Sequence, residues 1–213
     1  MSYDHVLLPA GAAASADAVE AYLAGQQGQP ESEIVAAIAA EVNRRNDELP
    51  EQDAFLSGTA GGEATGGALY VAAPYDAIGH VRKLLFELAT PREYALYDPQ
   101  LNWLIDPTGR IDVAVVHGGA GEFPYLTEQL ARTWVPELSE PNPYLIVERA
   151  DQIYIQTYRD EPGRYTLEYR DGGPDRHFGT RIENGDRVAD LIWAWAAGDR
   201  AGLDALDWEP VSF

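Results

Sequence analysis

The hydrophobic and polar positions in the first half of the chain alternate between short apolar runs and helical repeats. Within residues 31–49, Ile34, Ile38 and Val42 recur every four residues, a spacing that predicts an amphipathic helix. Residues 50–67, rich in Gly, Glu and Thr, are predicted to form a mobile surface loop. The elements predicted in chain order are a strand over 3–8, helices over 16–26 and 31–49, a strand over 68–73, a helix over 76–89 and a strand over 94–97, which residues 101–105 continue or close. This β-α-α-β-α-β order indicates a small α+β sandwich.

The hydrophobic period changes to two residues from position 144 onward. The alternation predicts strands over 144–148, 152–159, 165–170 and 177–182, joined by turns at 160–163 and 171–174. A helix is predicted over 186–197, with an apolar stripe formed by Val188, Leu191, Ile192 and Trp195. The second half therefore reads as an antiparallel meander packed by a C-terminal helix.

These patterns divide the chain into two α+β modules. The N-terminal module covers residues 1–107 and the C-terminal module covers residues 143–213. Residues 108–142 are predicted to connect them, with a short strand over 111–116 and a helix over 125–138 that Pro136 shortens.

The charge of the chain is strongly negative. The chain contains thirty-five Asp and Glu residues and fifteen Lys and Arg residues, which gives a formal net charge of -20. Residues 1–107 hold sixteen acidic and five basic residues, and residues 108–213 hold nineteen and ten, so both modules share the bias. Such a surface repels nucleic acid and anionic membranes and attracts basic proteins. The charge favours a basic protein partner, with solubility as the alternative explanation.

Composition also limits chemistry and location. The chain has no cysteine, which excludes disulfides, thiol nucleophiles and Cys-ligated metals. No apolar run is long enough to cross a bilayer, and the N-terminal apolar stretch carries Asp4 and no basic residue, unlike a secretory signal. We therefore expect a cytoplasmic protein without a cofactor.

Basic residues give few catalytic options. The single lysine, Lys83, follows Arg82 in the helix predicted over 76–89, and we expect both side chains on the solvent face of that helix. One lysine in that position argues against Schiff-base chemistry and Walker-type nucleotide hydrolysis.

One glycine-rich motif and the four histidines are considered as catalytic or metal-binding candidates. His117-Gly118-Gly119 is similar to an esterase oxyanion loop, but the chain has no G-x-S-x-G nucleophile, which favours a simple strand-to-loop turn. The four histidines are isolated in sequence and no metal-ligand spacing occurs, so no metal site is predicted.

The most charged local cluster lies at residues 171–177. Asp171, Asp175, Arg176 and His177 crowd one turn, which we interpret as a hairpin loop with an internal Asp–Arg pair. The alternative is an enzyme, a hydrolase with a carboxylate or metal-assisted site at this turn.

Aromatic residues indicate a recognition surface. Tyr154, Tyr158, Tyr165 and Tyr169 recur along the meander, so one sheet face is predicted to be rich in tyrosine. Trp193 lies off the apolar stripe of the last helix. The candidate partner-binding residues are Tyr154, Tyr158, Tyr169, Asp171, Asp175, Arg176, His177 and Trp193, with packing under the helix as the alternative role for the tyrosines.

Two resemblances accompany these patterns. Residues 1–107 open with Met1-Ser2-Tyr3-Asp4 and close with Tyr97-Asp98-Pro99-Gln100, and resemble a group of uncharacterised actinobacterial proteins. Residues 150–213 resemble immunity proteins of polymorphic-toxin systems. That resemblance is carried by Tyr154-Ile155-Gln156, Leu167-Glu168-Tyr169-Arg170, Asp175-Arg176-His177-Phe178 and the closing Trp208.

The immunity resemblance implies a non-catalytic binding protein. Such a protein neutralises or sequesters a basic toxin or effector, and an acidic face would speed its capture. The alternatives are the enzyme described above and a structural or scaffold module whose acidity serves solubility. Sequence alone leaves the partner and the oligomeric state open.

Overall fold

The computed structural model describes residues 2–211, which form two compact units, Met1–Thr108 and Gly109–Phe213. Met1, the first residue of the Met-Ser-Tyr-Asp opening, and Phe213 lie outside the described residues. Both units combine helices with an antiparallel sheet, which confirms the predicted α+β fold with two modules.

The first unit contains a four-stranded antiparallel sheet in the order β2-β1-β3-β4. Its elements are β1 (Tyr3–Pro9), α1 (Ala16–Gln26), α2 (Glu33–Asp47), β2 (Leu69–Ala73), α3 (Ile78–Ala89), β3 (Tyr94–Asp98) and β4 (Trp103–Ile105). Strand β1 alternates its side chains between two cores. Val6 and Leu8 pack in a cluster that includes Val19 of α1, whereas Tyr3 and His5 face the side on which α3 lies.

The segment over residues 50–67 is anchored to α2, contrary to its prediction as a mobile loop. The side chain of Asn46 accepts hydrogen bonds from the backbone N–H groups of Phe55 and Leu56 at 2.9 and 3.0 Å. The side chain of Asn43 accepts from the N–H of Ala60 and donates to its carbonyl, at 2.9 and 2.8 Å. Phe55 and Ala60 are buried, so this irregular segment contributes to the core.

The second unit contains a seven-stranded sheet in the order β11-β10-β9-β8-β7-β5-β6, with antiparallel neighbours throughout. Its strands are β5 (Ala114–His117), β6 (Gly121–Phe123), β7 (Tyr144–Ala150), β8 (Ile153–Glu161), β9 (Arg164–Asp171), β10 (His177–Ile182) and β11 (Glu209–Pro210). Its helices are α4 (Glu128–Glu137), α5 (Gly185–Ala196) and the single turn α6 (Ala201–Asp204). Residues 108–142, set apart above as a connecting segment, thus supply two strands and a helix to this unit.

Side-chain hydrogen bonds set where α4 and α5 begin. Thr127 accepts from the N–H of Leu130, and the Asn184 side chain accepts from the N–H groups of Asp186 and Arg187. The predicted apolar stripe of α5, Val188, Leu191, Ile192 and Trp195, is buried.

The two faces of the second sheet differ in character. Leu145, Val147, Ile155 and Leu167 are fully buried and share the face on which α4 and α5 pack. The register places the alternate residues on the opposite face, which we call the open face. Its central residues are Tyr144, Ile146, Glu148, Tyr154, Gln156, Tyr158, Thr166, Glu168, Arg170 and His177.

Candidate functional site

The sheet register separates the tyrosines that were predicted to share one face. Tyr154 pairs with Arg170 and Tyr158 pairs with Thr166, so Tyr154 and Tyr158 lie on the open face. Tyr169 pairs with Ile155 and therefore lies on the face covered by helices. The expectation of a single tyrosine-rich face was wrong because the pairing aligns even-numbered positions of β8 with even-numbered positions of β9.

Tyr169 is part of an aromatic packing cluster rather than a free anchor. Its ring centroid lies 4.7 Å from that of Trp208 and 5.3 Å from that of Phe178. The Arg200 guanidinium lies 4.9 Å from its centroid. The second tyrosine on the covered face, Tyr165, is buried, and burial raises its pKa.

The turn over residues 171–177 does not gather its charged groups around one point. Asp171 forms an ion pair with Arg176, the internal pair that the sequence suggested, and Asp175 is exposed. His177 is only 1% exposed and points to the open-face network of β9 instead of to the turn. Within residues 2–211, no cluster of three or more potential metal ligands occurs.

Trp193 is partly buried on α5. It therefore exposes a smaller fraction of its surface than Tyr158 on the open face, which is 44% exposed.

A polar network connects β8, β9 and β10 across the open face. Arg170 donates to the Gln152 side chain at 2.7 Å and lies 3.2 Å from Nδ1 of His177. Nε2 of His177 lies 3.1 Å from Oε2 of Glu168, and Gln156 donates to the same oxygen at 2.6 Å. Because the guanidinium can only donate, we assign His177 Nδ1 as an acceptor and Nε2 as the donor to Glu168. The network fixes the Glu168 carboxylate in one orientation.

A shallow concavity of about 280 Å³ lies beside this network on the open face. Tyr144 and Tyr158 are direct cross-strand partners, as are Ile146 and Gln156, and Glu168 lies at one end. Thr157 and Thr166 complete the lining, and the Thr166 hydroxyl donates to Asp160 at 2.8 Å. The concavity thus combines aromatic and aliphatic surface with carboxylates.

The second unit as a whole carries an excess of negative charge. Residues 109–213 hold nineteen acidic residues and ten basic ones. Several arginines are occupied by local ion pairs, as Arg132 is with Glu128 and Asp190. Such ion pairs do not change the excess of carboxylates over basic side chains. This excess produces a negative electrostatic potential that attracts cationic partners.

The glycines after His117 have a structural role. A Cβ atom on Gly118 would lie 2.2 Å from the backbone oxygen of Asn142 and 2.8 Å from the Tyr144 ring. The N–H of Gly118 donates to the Tyr144 carbonyl, and the N–H of Gly119 donates to Nδ1 of His117. The first bond joins the β5–β6 turn to β7 and the second lies within the turn, as the turn interpretation expects, so these N–H groups do not form an oxyanion hole.

The first unit contains a buried ionic cluster that sequence reasoning missed. Arg82 is buried and donates to Oδ2 of Asp98 at 3.0 Å, whereas the sequence placed Arg82 on the solvent face of its helix. The Tyr3 hydroxyl lies 2.9 and 2.7 Å from the two carboxylate oxygens of Asp98, and burial together with this bond raises the Tyr3 pKa. His5 is 0% exposed beside this cluster, and burial, reinforced by the charge of Arg82, lowers its pKa to about 4. Since its members are almost fully buried, the cluster is structural.

Comparisons of the chain with protein-family models, with curated proteins and with solved structures found no match in any of the three. The resemblances described from the sequence therefore stay predictions. None of the helices formed by residues 2–211 has the length and apolar character that crossing a membrane requires.

Proposed function

We propose that this chain is a non-catalytic, immunity-like binding protein that neutralises or sequesters a basic protein partner, and that the open face of the second unit is its docking surface. The observation that carries the proposal is the exposed aromatic concavity around Tyr158 on a sheet whose other face is covered by helices. Exposed tyrosine with neighbouring aliphatic surface is typical of interface anchors.

The charge of the chain supports a basic partner. A net charge of -20, carried by both units, would accelerate encounter with a cationic protein, and the aromatic contacts would then slow dissociation. Neutralising a toxin needs both properties, since capture must be fast and release slow.

The enzyme suggested at residues 171–177 has no support in the geometry. Both ring nitrogens of His177 are engaged, with Arg170 and with Glu168, and Asp171 is paired with Arg176. A general base would need a free nitrogen directed at a substrate.

The test uses the purified products of the genes that flank the gene for this chain. Their association with the full chain is measured by biolayer interferometry at about 50 and about 500 mM NaCl. We expect one basic product to bind, with an association rate that falls at high salt. A Tyr158→Ser variant should bind about tenfold more weakly, which corresponds to about 1.4 kcal/mol.

The matched control is Tyr75→Ser, which removes a 57% exposed tyrosine from the first unit. It should bind within about twofold of the wild-type chain. Equal losses for the two variants, or no binding by any flanking product, would contradict the proposal. The second of these outcomes would favour a scaffold role.

A further inference from the structure

We infer that the concavity on the open face receives an arginine side chain of the partner, with Glu168 as its carboxylate partner and the tyrosines as its stacking surface. This inference rests on the proposed function, because it specifies the chemistry of the group that docks there.

Glu168 has one carboxylate oxygen committed and one available. Its Oε2 atom takes both hydrogen bonds of the network, from Gln156 at 2.6 Å and from His177 at 3.1 Å. Among residues 2–211, no donor bonds its Oε1 atom, while the side chain keeps 20% of its surface exposed at the edge of the concavity. A fixed carboxylate with a vacant acceptor is suited to a charge-assisted hydrogen bond.

The surrounding residues favour a guanidinium over an ammonium group. Tyr144 and Tyr158 face each other across β7 and β8, and their rings provide surface on which a planar cation can stack. The Gln156 side chain uses its NH₂ group on Glu168, so its carbonyl oxygen is left as a second acceptor of the concavity lining. An arginine presents several donors in one plane and is more weakly hydrated than a lysine, so it fits two acceptors and aromatic walls better.

The size and shape of the concavity suit a single projecting side chain. Its volume of about 280 Å³ lies just below the range of about 300–1,000 Å³ that small-molecule sites occupy. Its walls come from three adjacent strands, so it is shallow and accessible to a residue that projects from another protein surface.

Glu168 and Asp160, which accepts a hydrogen bond from Thr166, are the carboxylates beside the concavity, and Arg181, the partner of Thr166 in β10, is an exposed cation on the same face. Arg170 is held by Gln152 and lies over the ring of Tyr154, 5.4 Å from its centroid. Its guanidinium is therefore engaged with Gln152, Tyr154 and His177.

The experiment is an NMR titration of the full chain, uniformly labelled with ¹⁵N, with three neutral-ended amino-acid amides. N-acetyl-arginine amide is compared with N-acetyl-citrulline amide, which has the same shape without the charge, and with N-acetyl-lysine amide. We expect saturable shifts from the arginine compound at the backbone amides of residues 156–158 and 166–168. Citrulline should give none there, and lysine should bind at least about threefold more weakly.

Two variants with the same change of charge complete the design. Glu168→Gln keeps the size of the side chain and one acceptor oxygen for Gln156 and His177 but replaces the other oxygen by an NH₂ donor, and we expect it to weaken arginine binding about tenfold. Glu183→Gln, an exposed position outside the concavity, should leave binding unchanged. Unaltered amide shifts in α5 will show that each variant keeps its fold.

The outcomes separate the two proposals. Equal shifts with citrulline, equal or tighter binding of lysine, or equal losses for the two glutamine variants would overturn the arginine inference. If arginine fails while the partner association still depends on Tyr158, the docking surface stands and only its occupant changes. If the Tyr158 dependence is also absent, the proposed function fails with it.

Discussion

Replacement of His5 by phenylalanine should remove much of the acid sensitivity of the first unit. Burial lowers the pKa of His5 to about 4 in the folded chain, whereas an unfolded histidine titrates near 6.5. Between these pH values the unfolded state binds more protons than the folded state. The contribution of the neutral His5 to the free energy of unfolding is therefore complete above about pH 6.5 and is lost as the pH falls toward 4. A difference of about 2.5 pKa units at 1.36 kcal/mol per unit makes the loss about 3 kcal/mol.

The assay must report on the first unit alone. Trp103 is the one tryptophan within residues 1–108, so a chain labelled with 5-fluorotryptophan gives a ¹⁹F signal that follows this unit during urea unfolding. The signal is assigned with a Trp103→Phe variant. Free energies of unfolding at pH 7, 6, 5 and about 4 are then compared between the wild-type and His5→Phe chains.

The two chains should diverge in pH dependence rather than in stability at pH 7. At neutral pH the larger ring changes the stability by about 1 kcal/mol through packing, but between pH 6.5 and 4 the variant should lose about 3 kcal/mol less than the wild-type chain. His80→Phe is the control, since it removes an exposed imidazole from the same unit. Parallel pH profiles for wild-type and His5→Phe chains would refute the reasoning.

Three further substitutions test the packing by urea unfolding. Arg82→Met leaves the buried Asp98 carboxylate without its cation and should cost about 3–5 kcal/mol, a loss that Arg82→Met combined with Asp98→Asn should partly reverse. Gly118→Ala places a Cβ atom against the backbone oxygen of Asn142 and should cost more than about 2 kcal/mol. Gly119→Ala is the control, since its Cβ atom would make only ordinary contacts, and it should cost under about 1 kcal/mol. Similar losses at both positions would contradict the account. Asn184→Ala removes the α5 cap and should cost about 1 kcal/mol, and an unchanged midpoint would show that the cap does not stabilise the helix.

Local periodicity was sufficient to predict the order of most elements, but not β6, α6 or β11. Helix α1 covers the predicted residues 16–26 and strand β10 the predicted residues 177–182, because each is bounded by residues with strong turn or capping preferences. The stripe of α2 was less well predicted. Ile34 is 42% exposed, and the core is formed by Val35, Ile38, Ala39 and Val42, since a strict four-residue spacing drifts around the helix.

The features that sequence reasoning missed depend on contacts between distant residues. Arg82 and Asp98 lie on different elements, and nothing near either residue indicates that they pair across a core. The separation of Tyr154 from Tyr169 likewise depends on the register of β8 and β9. A shift of one residue in this register would place both tyrosines on the same face of the sheet. Candidate residues could be listed from the sequence, but only the sheet register shows which of them, His177 and Tyr158, lie near Glu168.

Hydroxyl-radical footprinting of the complex with the basic partner tests the central claim most directly, because it compares two exposed tyrosines in one sample. Tyr158 and Tyr75 are 44% and 57% exposed in the free chain, so both should be oxidised readily. On binding, we predict that oxidation of Tyr158 falls at least about fivefold while that of Tyr75 stays unchanged. Protection of Tyr75 with continued oxidation of Tyr158 would contradict the assignment of the open face as the docking surface.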